Sequence, residues 1–276
     1  MLIVIQSDKI AVARYAYQLV RNRMQDQSTF VLGLAAGTTP LLLYREMIMG
    51  FKIKELDFSG VHTFNLDEYV GLPPDHPQSY YSFMRKYLFK HVNLEKENIH
   101  FLSGISKDME KHCQDYEKQI KQLGGIDLQI LGIGRNGHIG FNEPVSSLCS
   151  RTMVRALMPG TIDDNKHFFY REGDVPRWVL TMGIGTILDA KNILLLATGP
   201  QKANAVASMV EGPVTSMCPA SALQMHPEVT VVCDEAAAAK LKQRELYKWL
   251  FENDYQVREQ SRMKLVHKKT LVRVNE

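Results

Sequence analysis

The chain has 276 residues, of which 45% are hydrophobic and 23% are charged, and its formal net charge is +3. These values are ordinary for a globular protein of one or two domains, and the charge is too small to indicate a nucleic-acid partner. No apolar run approaches the ~18 residues that span a bilayer, and the start, MLIVIQSDKI, lacks the basic residues and apolar length of a signal peptide. The cysteines are scattered without C-x-x-C pairs, which predicts reduced thiols, a cytoplasmic location and no metal site.

Short apolar runs alternate with amphipathic segments along the whole chain. The predicted strands are 2–5, 30–34, 61–66, 126–134, 178–184, 192–199 and 229–234, and the predicted helices include 9–24, 40–49, 108–125 and 201–212. Several of these strands are nearly continuous in apolar residues, as in parallel sheets that helices cover on both faces. The pattern predicts a doubly wound α/β fold with a mostly parallel sheet.

Polar or glycine-rich loops follow four of the predicted strands. Their sequences are LAAGTTP, NLDEYVGLP, GRNGHIGFNEP and TGPQKA. In open α/β sheets, ligands bind beyond the carboxyl ends of the strands. We therefore expect the four loops to meet at one edge of the sheet and to form the binding site.

Two of these loops contain features that favour a bound anion. Gly37, Thr38 and Thr39 precede a helix, whose first N–H groups and positive end suit a phosphate, although a plain N-cap is an alternative interpretation. Lys202 stands at the start of another predicted helix, where a cation is unfavourable unless an anion lies nearby. A solvated lysine is the alternative there.

The loop after the third strand carries two adjacent carboxylates, Asp67 and Glu68. Because side chains alternate in direction along an extended chain, only one of them can point into a cleft, where it is a candidate base. A solvated acidic turn is the alternative, but the proline-rich residues that follow favour an ordered, functional loop.

The stretch GIGRNGHIGFNEP (132–144) fits the G-x-G-x-x-G spacing of dinucleotide-binding loops. That interpretation fails on its context, because Pro144 interrupts the helix that should follow and no acidic residue ends a second strand about 20 residues later. His138 lies between glycines, with Glu143 five residues further on. A carboxylate that orients an imidazole makes an acid or base of it, while a structural histidine remains the alternative.

Together the loops resemble those of glucosamine-6-phosphate deaminases, also called glucosamine-6-phosphate isomerases. LGLAAGTTP (32–40) is similar to the family's LGLPTGxTP, TFNLDEYVGLP (63–73) to TFNMDEYVGLP, and GIGRNGHIGFNEPVSSLCSRT (132–152) to GxGxDGHIAFNEPxSSLxSRT. VLTMGIGTILDA (179–190) also matches. The resemblance runs from the start to about residue 240, which implies one domain over 1–240 and a C-terminal helix and basic tail of open role over 241–276.

The resemblance implies a Rossmann-like enzyme without metal or cofactor that converts glucosamine 6-phosphate and water to fructose 6-phosphate and ammonia. It implies that His138 opens the sugar ring, that Glu143 holds the imidazole, and that Asp67 moves a proton from C2 to C1. The implied substrate- and phosphate-binding residues are Gly37, Thr38, Thr39, Gly132, Lys202 and His167. No nucleic-acid or membrane partner is implied, and homo-oligomerisation stays open because family members range from monomers to hexamers.

Three departures from the family pattern concern the site. Asn136 replaces an aspartate, so it is expected to support His138 and Glu143 rather than to carry a proton. His167 replaces an arginine that contacts phosphate, with Lys166 as a neighbouring substitute. Met153 and Arg155 replace an arginine and a lysine that hold a second sugar phosphate, which predicts hyperbolic kinetics without activation by N-acetylglucosamine 6-phosphate.

Two other functions are compatible with the loops. A 6-phosphogluconolactonase-like hydrolase shares the fold and the sugar-phosphate seat, but it needs no base at C2, so TFNLDEY argues against it. A sugar-phosphate-sensing domain without catalysis would carry a DNA-binding helix-turn-helix, and residues before 30 leave no room for one.

Overall fold

The computed structural model describes residues 1–25, 27–165, 169 and 175–253. The strands are β1 (Leu2–Gln6), β2 (Phe30–Leu34), β3 (Val61–Asn65), β4 (Asp67–Tyr69), β5 (Ile99–His100), β6 (Leu128–Leu131), β7 (Met153–Ala156), β8 (Trp178–Thr181), β9 (Ile193–Ala197) and β10 (Val229–Asp234). The helices are α1 (Lys9–Met24), α2 (Leu41–Lys52), α3 (Tyr80–Tyr87), α4 (Met109–Gln122), α5 (Pro159–Asn165), α6 (Ile184–Leu188), α7 (Ala203–Glu211) and α8 (Arg244–Asn253). Short 3-10 turns cover Phe89–His91, Lys96–Asn98, Pro200–Lys202 and Pro219–Met225.

Seven strands form a parallel sheet in the order β1-β10-β9-β6-β2-β3-β5. Two apolar cores cover its faces, one with α1, α2 and α3 and the other with α4, α6 and α7. The chain runs outward from β2 to β3 and β5, then returns to the opposite side of β2 with β6. The gap beyond the ends of β2 and β6 is therefore the switch point at which doubly wound sheets bind ligands. The predicted fold is confirmed.

A glycine in β2 leaves space for a side chain of the neighbouring strand β6. Gly33 in β2 lies beside Gln129 in β6, and the Gln129 side chain crosses over it. A Cβ on Gly33 would lie 2.1 Å from the Gln129 Oε1 atom. A larger residue at position 33 would therefore clash with the Gln129 side chain.

A second, smaller sheet is antiparallel, in the order β4-β8-β7. The predicted strand at 178–184 is shorter than expected and lies at the centre of this sheet, while the sequence pattern predicts neither β4 nor β7. A small apolar cluster of Tyr69, Phe141, Leu157 and Val179 packs against it. The small sheet projects the chain segments around β4 and β7 over the carboxyl edge of the large sheet.

The helix predictions agree best with the structure where the sequence has an N-cap residue or an amphipathic pattern. The predicted helix 9–24 coincides with α1, whose N-cap, Asp8, accepts the N–H groups of Ile10 and Ala11 at 2.7 and 2.9 Å. α8 lies in the predicted C-terminal helix, and its Phe251 packs edge-on against Tyr15 of α1. The basic tail from 254 onward lies outside the described residues, and the domain boundary near 240 stays a prediction. None of the described helices is long and apolar enough to cross a membrane.

Candidate active site

A cleft of about 520 Å³ opens at the carboxyl edge of the large sheet. All four post-strand loops contribute to its walls: residues 35–40 after β2, Leu66 and Asp67 after β3, residues 132–135 after β6, and Gln201 and Lys202 after β9. The expectation that these loops meet at one edge is confirmed. His138, Gly140 and Phe141 complete one wall, and Tyr80 and Thr161 close the cleft from the side of the small sheet.

The loop after β2 presents an uncapped helix end to the cleft. Gly37 has a φ of 103°, in the left-handed region that favours glycine, and this turn directs Thr38 and Thr39 to the cleft wall. Pro40 precedes α2, and no side chain caps the helix. The N-cap residue of α2 is thus Pro40, which has no side-chain oxygen to cap the helix, and the role of the threonines in binding a phosphate stays a prediction.

Lys202 reaches the same cleft from the neighbouring strand. It ends the 3-10 turn Pro200–Lys202 and precedes α7, which also begins without a side-chain cap. Since β9 and β2 flank β6 on opposite sides, Lys202 and the Gly37–Thr39 turn lie on either side of the β6 loop. This arrangement of one cation and two helix starts suits a phosphate group.

The glycines of the β6 loop serve different purposes. Gly132 lines the cleft, and a Cβ there would meet nothing within 4 Å, so the backbone is open to a ligand. A Cβ on Gly134 would lie 2.2 Å from His138 Cε1, and one on Gly137 would lie 2.5 Å from Cys218 Sγ. Gly134 and Gly137 therefore accommodate protein side chains, and Gly132 alone of the three leaves the backbone open to the cleft.

The two adjacent carboxylates of β4 point in opposite directions, as the alternation of an extended chain predicts. Asp67 lines the cleft, whereas Glu68 accepts the N–H groups of Tyr69, Tyr80 and Tyr81 at 2.8, 2.9 and 3.0 Å. Burial, followed by the charge of Glu68, raises the pKa of Asp67 to about 8. Asp67 is therefore a carboxyl group that can exchange a proton with a ligand at pH values near its pKa of about 8.

The Asp67 carboxylate and the β6 loop lie close together. A Cβ on Gly140 would be 3.7 Å from Asp67 Oδ2. The loop is fixed to the end of β8, because Asn142 donates to the carbonyls of Ile139 and Met182 at 2.9 and 2.7 Å. The asparagine of FNEP thus holds His138 and Asp67 in one cleft.

His138 faces Glu143 from within this loop. The Nδ1 atom of His138 lies 3.3 Å from Glu143 Oε2, but its N–H is not aligned for a well-formed hydrogen bond, so the contact is mainly an electrostatic pairing. Asn136 links Glu143 to the backbone of His138, since its amide donates to Glu143 Oε2 at 2.7 Å and its oxygen accepts the backbone N–H of His138 at 3.2 Å. Thr161 donates its hydroxyl to the other Glu143 oxygen.

These partners keep the Glu143 carboxylate charged. Burial acts to raise the pKa of Glu143, but the facing His138, the Thr161 hydroxyl and the Asn136 amide outweigh it and lower the pKa to about 2. Two carboxyl groups with opposite properties thus serve the site: Asp67 in the cleft has a raised pKa, and Glu143, beside the cleft-lining His138, has a lowered one. Such separation is typical of acid–base sites.

The sequence model of the family described as "Glucosamine-6-phosphate isomerases/6-phosphogluconolactonase" matches residues 8–232. The chain belongs to that family. The glucosamine-6-phosphate deaminase of Shewanella halifaxensis is 52% identical over 249 residues, which are 90% of this chain and 94% of the relative. That of Cellvibrio japonicus is 51% identical over 248 residues, 90% of this chain and 94% of the relative. The structure of a monomeric glucosamine-6-phosphate deaminase has a TM-score of 0.85 at 40% identity, covering 87% of this chain and 100% of the other.

The structure does not test two of the departures from the family pattern. His167 and Lys166 are outside the described residues. Met153 begins β7 and Arg155 is exposed on the same strand, so their role in activation stays a prediction. Among the residues that the structure describes, no group of three or more His, Cys, Asp or Glu side chains could hold a metal ion.

The structure adds cleft residues that the sequence patterns did not single out. They are Arg135, Tyr80, Phe141, Thr161 and Gln201. Arg135 stands inside the quoted glycine-rich stretch, so its charge was a signal available from sequence. Tyr80 stacks on Phe141 with ring centroids 6.1 Å apart, and Thr161 comes from α5; nothing local in the sequence marks these contacts.

Proposed function

We propose that the chain is a glucosamine-6-phosphate deaminase that converts glucosamine 6-phosphate and water to fructose 6-phosphate and ammonia. The observation that carries the proposal is the pair of separate acid–base units in one cleft, Asp67 on one side and His138 with Glu143 on the other. The identity of 52% to a deaminase over nearly the whole of both chains supports it.

The phosphate binds at the Gly37–Thr39 turn and Lys202 in this proposal. The N–H groups at the start of α2 and the threonine hydroxyls donate hydrogen bonds to its oxygens, and Lys202 supplies a positive charge. Gly132 lets the sugar approach the backbone of the β6 loop. The seat orients C1 and C2 of the sugar toward the two acid–base units.

His138 acts first, on the closed ring. Its imidazole takes the proton of the C1 hydroxyl and passes a proton to the ring oxygen as the C1–O5 bond breaks, which leaves an aldehyde at C1. Glu143 faces the imidazole during this transfer, and Asn136 holds the Glu143 carboxylate and the His138 backbone. The low pKa of Glu143 keeps a negative charge beside His138 while the imidazole carries the extra proton.

Asp67 acts on the open chain. It removes the C2 proton to give an enolamine and returns a proton to C1, so that the double bond to nitrogen forms at C2. Water adds to C2, and ammonia leaves as the carbonyl of fructose 6-phosphate forms. The raised pKa of Asp67 suits a group that both takes up and releases this proton.

A lactonase would not need Asp67 in this position. The 6-phosphogluconolactonase of Trypanosoma brucei shares the fold at a TM-score of 0.71, but at 18% identity the likeness concerns the fold alone. Hydrolysis of a lactone requires attack by water on a carbonyl carbon and no proton transfer between neighbouring carbons. No observation in the cleft favours that function over deamination.

A coupled assay for ammonia and fructose 6-phosphate tests the proposal. We expect both products from glucosamine 6-phosphate and none from 6-phosphogluconolactone. Asp67→Asn is expected to lower kcat by about 10³-fold, in the range attributed to a general base. Asp75→Asn is the matched control, because Asp75 is an exposed carboxylate in the loop that follows β4. Full activity in Asp67→Asn would refute the assigned base.

The proposal includes a cytoplasmic location and a small-molecule substrate. Cys113, Cys149, Cys218 and Cys233 are all free thiols, as in proteins of the reducing cytoplasm. The substrate is a small phosphorylated sugar, and the net charge of +3 gives no reason to invoke nucleic acid. Homo-oligomerisation stays open, although one relative of known structure is described as monomeric.

A further inference from the structure

The two oxygens of Glu143 are engaged by different parts of the chain. Oε2 accepts the Asn136 amide at 2.7 Å and faces His138 Nδ1 at 3.3 Å, all within the β6 loop. Oε1 accepts the hydroxyl of Thr161, which lies 18 residues further along the chain. The orientation of the carboxylate therefore depends on a residue outside the loop that carries the imidazole.

Thr161 is held in place by the small sheet. Strand β7 pairs with β8, the chain continues into α5, and the N–H of Thr161 bonds to the carbonyl of Met158 at 3.0 Å. Thr161 is only 6% exposed, although it lines the cleft. β8 also pairs with β4, the strand of Asp67. The small sheet thus connects both acid–base units of the cleft.

We propose that Thr161 is a positioning residue, whose hydroxyl turns Glu143 so that Oε2 faces His138 and keeps a proton on Nδ1. A carboxylate with one oxygen fixed by a donor can rotate little, so its second oxygen has a defined direction. A negative oxygen beside Nδ1 favours the tautomer that is protonated there, which leaves Nε2 to exchange protons with a ligand. The catalytic part of this inference rests on the proposed deaminase function, whereas the tautomer part does not.

Two variants of Thr161 separate the hydroxyl from the volume of the side chain. Thr161→Val keeps the shape and removes the donor, and Thr161→Ser keeps the donor and removes a methyl group. In ¹⁵N NMR spectra of the His138 ring without substrate, we expect one Nδ1-protonated tautomer in the wild type and in Thr161→Ser. Thr161→Val is expected to give a mixture. An unchanged ring spectrum in Thr161→Val would overturn the proposal, whatever the substrate is.

The kinetic test uses the deaminase assay. Thr161→Val should lower kcat about tenfold, the cost of one lost hydrogen bond to a charged group, while Thr161→Ser stays within about twofold. Binding of the reduced, open-chain substrate, 2-amino-2-deoxyglucitol 6-phosphate, should not change, since this compound has no ring to open. A general loss of structure would weaken its binding too, and that result would count against a positioning role.

A double-mutant cycle shows whether Thr161 acts through Glu143. If it does, Thr161→Val should cause little further loss in a Glu143→Gln background, because the partner is already altered. If the fold-losses in kcat of the two single variants multiplied in the double variant, the proposal would be contradicted. An active wild type with a fully active Thr161→Val would refute the positioning role alone, whereas a wild type that releases no ammonia would refute the deaminase function and leave the NMR result to decide.

Discussion

The large parallel sheet and the small antiparallel sheet contribute different things to the cleft. The large sheet supplies helix ends and turns, at the Gly37–Thr39 turn and at Lys202, which suit an anion. The small sheet supplies Asp67 directly and fixes Glu143 through Thr161. The groups that suit an anion therefore follow strands of the large sheet, whereas the candidate acid–base groups come from both sheets, because His138 and Glu143 lie in the loop after β6. Substitutions in the two sheets should therefore have different signatures.

The largest expected effect concerns the free energy of unfolding, which the buried Asp67 carboxyl lowers as the pH rises. Because burial raises the folded-state pKa of Asp67 to about 8, the folded state holds a proton that the unfolded state loses above about pH 4. This difference destabilises the fold progressively as pH rises to about 8. Asp67→Asn removes the titration, so it should exceed the wild type in stability at pH 8 by on the order of 2–4 kcal/mol.

Urea unfolding at pH 5 and pH 8 measures this difference. The gap between Asp67→Asn and the wild type should widen from the lower to the higher pH. Asp75→Asn, at an exposed carboxylate, should show no such widening. A gap that is constant with pH would mean that Asp67 is not a destabilising buried acid.

The second effect concerns the packing of Gly33 against Gln129 in the large sheet. Gly33→Ala places a Cβ against the Gln129 side chain, so it should lower the free energy of unfolding by about 1–3 kcal/mol. Adding Gln129→Ala should recover part of the loss, because it removes the clashing group. The kcat of the folded fraction should stay near wild type, and a large fall in kcat would show that the clash displaces the β6 loop that carries His138.

Sequence patterns described the large sheet much better than the small one. Strands such as β2 and β9 are fully buried and read as continuous apolar runs. β4 is a three-residue strand with the sequence DEY, and β7 is partly exposed with the sequence MVRA, so neither has a periodicity that marks a strand. These short strands form because they pair with β8, which is a tertiary contact.

In the site, too, some residues can be predicted from local sequence patterns and others depend on tertiary contacts. Asp67, His138 and Glu143 stand in unusual polar stretches next to strand ends, and the fold brings Asp67 and His138 to one cleft, with Glu143 beside His138. Thr161 contacts Glu143 across 18 residues, from a helix that begins after β7. Only the three-dimensional path of the chain reveals that contact, because a threonine in such a segment carries no local signal.

The third effect tests whether a cleft residue of the large sheet acts on binding. Arg135 follows β6 and lines the cleft between the Gly37–Thr39 turn and Lys202. Arg135→Gln should raise the KM for glucosamine 6-phosphate about tenfold, the value of one charge-assisted hydrogen bond, with kcat nearly unchanged. Arg85→Gln, at an exposed arginine of α3 outside the cleft, is the control. A fall in kcat without a change in KM would place Arg135 in the chemistry instead.

The smallest expected effect is that of N-acetylglucosamine 6-phosphate, which we expect to leave the rate curves hyperbolic and unshifted. Met153 and Arg155 are two residues apart on β7, so their side chains point to the same face, and that pair provides one cation where a phosphate is best held by two. Initial rates over a range of glucosamine 6-phosphate concentrations, with and without the effector, measure the outcome. Sigmoidal curves that the effector straightens would contradict the prediction.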